Sequence, residues 1–185
     1  LAVLVLDNKT DGQALVYHGN YGKQKGAHGQ QVDVIQKPRS SGSILKPILY
    51  AAMMDAGIIY PQSLIPDVPT RYADFSPHNF TKEFDGAVPA DEALIRSLNV
   101  PAVRMLHQYG VHRFYDLLKS YEISTLFRPA EAYGLSLILG GAEVTLQEIC
   151  ALYQNWARVL QDTALPSSLS RAAIYSSLEA MKRVN

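Results

Sequence analysis

The chain has 185 residues, with 17 Lys+Arg balanced by 17 Asp+Glu, so it offers no broad electrostatic footprint for nucleic acid or an anionic lipid surface. Hydrophobic residues make up 48% and charged residues 18%, the composition of a folded domain with an apolar core. A lone cysteine, Cys150, excludes an internal disulfide framework and a multi-cysteine metal site, and no apolar run reaches the ~18 residues of a membrane span.

Leu1–Leu6 is an apolar, β-prone run, followed by the turn formers Asp7-Asn8-Lys9-Thr10-Asp11-Gly12 and a second such run, Gln13–His18. The pattern predicts an antiparallel hairpin over residues 1–18. A chain that opens inside a strand reads as part of a longer one. A two-stranded ribbon is marginal by itself, so partner strands are expected outside the sequence. Residues 19–39 are polar and rich in glycine and glutamine, which predicts a loop.

Residues 40–185 are expected to be mainly helical. Ile44, Leu45, Ile48, Leu49, Ala52 and Met53 recur at helical spacing. Pro47 suits a first turn, so this helix is expected to start at Gly42 or Ser43 and to stop at Gly57. Prolines at 61, 66, 69, 77 and 89 predict a long irregular crossing. Further helices are predicted over Ala90–Arg96, from Pro101 to Gly110, and over Val111–Tyr121. Another should run from the capping box Thr145-Leu146-Gln147-Glu148 to about Leu160, and a last one over Ser170–Val184.

The five histidines, His18, His28, His78, His107 and His112, show no ligand spacing with one another or with Cys150, and no phosphate-binding loop or dinucleotide fingerprint occurs. Cys150 on its apolar stretch is expected to be a buried small hydrophobe, and Trp156 and the tyrosines core or rim residues. One constellation stands out. Ser43-Ile44-Leu45-Lys46 puts a hydroxyl and an amine at i and i+3, on one face of a helix start where free backbone N–H groups can stabilise negative charge. Lys46 can serve as a base only if burial or a neighbouring cation lowers its pKa. Against this stands a plain reading, with Ser43 as a helix-start residue and Lys46 solvated. Ser97-Leu98-Asn99 adds a hydroxyl and a carboxamide between two helices; its plain reading is Asn99 capping the helix opened by Pro101.

SxxK followed by SxN is the pair found in penicillin-binding proteins and β-lactamases. The surroundings, Pro38–Pro47, Arg96–Arg104, Gly134–Leu137, Gly140–Thr145, Gly86–Ala90 and Leu6–Thr10, closely resemble the transpeptidase domains of class A (bifunctional) penicillin-binding proteins along nearly the whole chain. No KTG element is present. Lys9-Thr10-Asp11-Gly12 has Asp where that motif needs Gly, and the resemblance places the true element on a strand beyond Asn185. The family's glycosyltransferase domain and membrane anchor are also absent from this sequence.

The resemblance implies an α+β serine DD-peptidase/β-lactamase-like fold, an antiparallel sheet flanked by helices with a helical lobe. It implies Ser43 as nucleophile, Lys46 as its base and Ser97 as proton relay, with Asn99 and Gly42 binding substrate. The substrates implied are peptidoglycan stem peptides ending in D-Ala-D-Ala, with an amine acceptor, and β-lactam antibiotics as mimics. No cofactor, metal or nucleic-acid partner is implied, and the implied location is the bacterial periplasm. Readings left open are a DD-carboxypeptidase or β-lactamase and, from a different class, a non-catalytic penicillin sensor or cell-wall scaffold.

Overall fold

The computed structural model describes residues 1–9, 12–20, 32–163 and 167–183. Residues 21–31 of the loop predicted over 19–39, with His28 among them, the turn residues Thr10 and Asp11 and the predicted helix end at Val184 lie outside them.

At the centre is helix α1, Lys46–Asp55, whose residues from Lys46 to Met53 are all buried. A helix apolar on every side can only be stable as the core of others. It packs against α2 (Ala90–Ile95), α3 (Asn99–Tyr109) and α7 (Arg171–Met181). Around these lie α4 (Val111–Ser120), a short α5 (Ala130–Tyr133), a 3-10 helix over Gly134–Leu139 and α6 (Leu146–Leu160). Helix α6 opens with the predicted capping box: Glu148 N donates to Thr145 Oγ1 at 3.1 Å and Thr145 N to Glu148 Oε2 at 2.8 Å. Burial would push the Glu148 carboxyl up, but these bonds and those from Ser124 and Thr125 hold it below the ordinary value.

Among the described residues the strands form three two-stranded antiparallel sheets. β1 (Val3–Leu6) pairs with β2 (Ala14–His18), β3 (Arg39–Ser40) with β6 (Glu143–Val144), and β4 (Leu64–Asp67) with β5 (Gly86–Pro89). The first hairpin rests on α6, where buried Gln154 donates to the Asp7 carbonyl. Every residue of β2 is exposed.

Three sequence expectations are corrected. The proline-rich crossing contains the β4–β5 hairpin, because a two-stranded ladder leaves each strand a free edge where Pro66 and Pro89 forfeit no bond. Helix α1 starts at Lys46, three residues after Ser43 and four after Gly42, the two starts expected from Pro47, and Gly42–Leu45 forms the turn before it. Cys150 is half-buried rather than core, and its burial raises the thiol pKa.

Candidate active site

Ser43 lies in the exposed turn before α1, and Lys46 is the first residue of the helix. The turn is closed by Ile44 N to Ser41 O at 3.1 Å and Lys46 N to Ser43 O at 3.0 Å. It is braced from behind: β3 pairs with β6, Ser41 N donates to Ala142 O at 2.9 Å, and Ser40 Oγ to Gly140 O at 2.8 Å. Gly140 is needed for that contact. Its φ is +97°, and a Cβ there would sit 2.6 Å from Ser40 Oγ, closer than real Cβ atoms come, and a tight 3.0 Å from Gly42 N. Gly42 itself has φ +52° and stands next to Ser43 on the exposed side of the turn. Among the described residues, neither the Ser43 hydroxyl nor its backbone N–H is hydrogen-bonded.

The second wall is built by the end of α2 and the start of α3. Helix α2 ends in a Schellman turn: Ser97 N bonds Leu94 O at 2.9 Å and Leu98 N bonds Ala93 O at 3.0 Å. Leu98 packs with Ala93 and Val88 in a small apolar cluster beneath it. This turn requires a left-handed residue, and Ser97 takes it at φ +53°. The conformation turns both the Ser97 carbonyl and its hydroxyl onto the Lys46 amine.

Lys46 Nζ donates to Ser97 O at 2.6 Å, to Asn99 Oδ1 at 2.8 Å and to Ser97 Oγ at 3.2 Å. The residue is 2% exposed, and no carboxylate is paired with it among the described residues. An ammonium buried among neutral acceptors loses more hydration than it regains, and burial lowers the Lys46 pKa to about 8. The requirement set by the sequence for a basic lysine is therefore met by desolvation.

Asn99 is not the cap that its plain reading suggests; the N-cap of α3 is Leu98, without a side-chain bond. Its carboxamide faces outward instead, with Oδ1 on Lys46 and Nδ2 donating to His78 O at 2.9 Å. One N–H proton of that amide is left for another acceptor. Lys46 Nζ thus contacts both Ser97 and Asn99, whereas the Ser43 side chain stands on the adjoining turn without a bond to the Lys46 amine.

Residues 1–157 match the penicillin binding protein transpeptidase domain family. The chain belongs to that family. It is 40% identical over 158 residues to penicillin-binding protein 1C of Escherichia coli strain K12, covering 85% of this chain and 20% of that protein. It is 32% identical over 143 residues to penicillin-binding protein 1F of Bacillus subtilis strain 168, covering 77% and 19%. The chain thus spans about a fifth of the length of these relatives. PonA1 of Mycobacterium tuberculosis, a penicillin-binding protein, superposes with a TM-score of 0.77 at 17% identity, over 99% of this chain and 55% of that one. The same protein in complex with penicillin V superposes at 0.76 and 18% identity. The α+β transpeptidase fold and the class A resemblance read from the sequence both stand.

Within this transpeptidase domain, two buried polar residues behind Asn99 escaped the sequence reading. Asp67 is 0% exposed and Asn79 is 4% exposed. A signal for Asp67 was present: in Leu64-Ile65-Pro66-Asp67 it shares the inward face of a strand with Ile65. For Asn79, in irregular chain, none was.

Proposed function

We propose that the chain contributes the nucleophile and its base to a peptidoglycan DD-transpeptidase, working through a serine acyl-enzyme. The observation that carries this reading is Lys46, buried, lowered in pKa to about 8 and held by Ser97 and Asn99 one helical turn from Ser43. At pH 7 such a lysine is neutral in about a tenth of the molecules, against fewer than one in a thousand for a free lysine.

In the proposed reaction the Ser43 hydroxyl attacks the carbonyl carbon of the penultimate D-Ala, and its proton passes to neutral Lys46. The carbonyl oxygen becomes an oxyanion facing the unpaired Ser43 N–H. The C–N bond then breaks, the departing D-Ala amine takes a proton through the Ser97 hydroxyl, and an ester on Ser43 remains. An amine of a second stem peptide attacks that ester and loses its proton to Lys46, which passes it to the Ser43 oxygen as the ester C–O bond breaks, so that Ser43 hydroxyl and neutral Lys46 are restored. The free N–H proton of Asn99 suits a substrate peptide carbonyl. Gly42, with no side chain, lets a substrate backbone approach the turn beside Ser43.

β-Lactams would stop at the ester, as mimics of D-Ala-D-Ala. No described helix is long and apolar enough to cross a membrane. The proposed setting is the outer face of the bacterial inner membrane, with any anchor and any glycosyltransferase activity residing elsewhere in the complete protein. The test is labelled penicillin with the full-length protein: an adduct mapped to Ser43, lost in Ser43→Ala, supports the reading. Undiminished labelling of that variant sinks it.

A further inference from the structure

We infer that Asn79, fixed by Asp67, is a positioning residue that sets the Asn99 carboxamide against Lys46. This rests on the reading of Lys46 as base, but it concerns a residue that touches neither Ser43 nor Lys46.

A helix start has orphan N–H groups that need acceptors. In α3, Leu98 N is taken by Ala93 O, and Pro101 has no N–H. The two that remain, Asn99 N and Val100 N, both donate to one atom, Asn79 Oδ1, at 3.0 and 3.2 Å. Asn79 therefore caps α3 from twenty positions upstream, where the local N-cap residue Leu98 has no side chain able to do so.

The rest of the Asn79 amide is equally committed. Nδ2 donates to Asp67 Oδ1 at 2.8 Å and to Glu83 O at 2.9 Å, so its two protons and its oxygen lone pairs are all used. Asp67, buried at the end of β4, accepts from Asp85 N through its other oxygen at 3.0 Å. The neighbouring His78 carbonyl takes Asn99 Nδ2. One short segment thus holds both the backbone and the side chain of Asn99, and through Oδ1 the Lys46 amine. An amide with four satisfied bonds in a buried place cannot be replaced without leaving some of its partners unpaired.

The test uses the full-length protein and labelled penicillin. Acylation rate is measured against pH for the unaltered protein, for Asn79→Ala, and for the milder Asp67→Asn in case the first folds poorly. Ser170→Ala, which removes the cap of remote α7, is the control for a loss of stability alone. The expected result is a rate at least about tenfold lower in Asn79→Ala, as misplacement of a reacting group predicts. The pH midpoint should also move upward, because a loosened Asn99 admits water to Lys46. Asp67→Asn should show the same two changes in smaller degree, and Ser170→Ala neither. If both site variants keep the rate and the midpoint, Asn79 merely supports the fold and the inference is overturned. Absence of a Ser43 adduct in the unaltered protein would instead overturn the functional reading.

Discussion

Helices α1, α2 and α4 end in the same Schellman turn, yet with different residues at the left-handed position. Gly57 closes α1 at φ +65°, with Gly57 N on Met54 O and Ile58 N on Met53 O. Glu122 closes α4 at φ +61° in the same way, and Ser97 closes α2 at +53°. Glycine adopts this conformation without a steric cost, while other residues pay about 1–2 kcal/mol. Glu122 is exposed, and its side chain has no hydrogen-bond partner among the described residues. At Ser97 the same conformation places an oxygen and a hydroxyl on Lys46. Backbone strain alone does not distinguish these three positions; the contacts to a buried amine set Ser97 apart.

Substitution of Lys46 should have the most severe consequence. Both Lys46→Ala and Lys46→Arg should slow acylation of Ser43 by about 10²–10⁴, since arginine stays protonated and cannot accept the proton. Rapid-quench labelling with penicillin measures this, and an arginine variant with most of the normal rate would show that only positive charge is required. Next in size is Gly140→Ala. A Cβ pressed against Ser40 and Gly42 at a left-handed φ should cost on the order of 1–3 kcal/mol and slow acylation by moving the Ser43 turn. Gly57→Ala meets no atom within 4 Å, so thermal unfolding should register only its conformational cost and acylation should not change.

Ser97→Gly and Glu122→Gly separate the backbone strain at these two turns from the side-chain contact to Lys46. Each should raise stability by up to about 1 kcal/mol in denaturant unfolding, but only Ser97→Gly should lose acylation, to the level of Ser97→Ala. Equal activity of the two glycine variants would remove Ser97 from the site. The smallest effect belongs to Ser170→Ala, where loss of the α7 cap should cost about 1 kcal/mol with acylation unchanged.

Much of this arrangement was legible in the residues. The capping box at Thr145, the stop at Gly57 and the apolar periodicity of α1 are local signals, and each element formed where its own residues act. The SxxK tetrad and the SxN triplet marked Ser43, Lys46, Ser97 and Asn99 as candidates. What the sequence could not supply was the long-range bracing. Gly140 matters because a segment a hundred residues away packs onto it, and Asn79 matters because its partners are Asp67 and the start of α3. The β4–β5 hairpin was hidden for a related reason, since Pro66 and Pro89 read as breakers until the free edges of a two-stranded ladder are known. The start of α1 moved because Pro47 fixes only where a first turn is allowed, not whether Gly42–Leu45 winds into it.

The central claim is that buried Lys46, held by Ser97 and Asn99, takes the proton from Ser43 in its neutral form. Because burial lowers its pKa to about 8, the neutral fraction grows as pH rises toward that value and saturates above it. The most direct measurement is the single-turnover acylation rate of Ser43 by labelled penicillin between pH 5.5 and 9.5. The account predicts a rate rising about tenfold per pH unit at the acidic end, reaching half its maximum near pH 8 and levelling above that. A profile flat across that range, with the adduct still on Ser43, would contradict it.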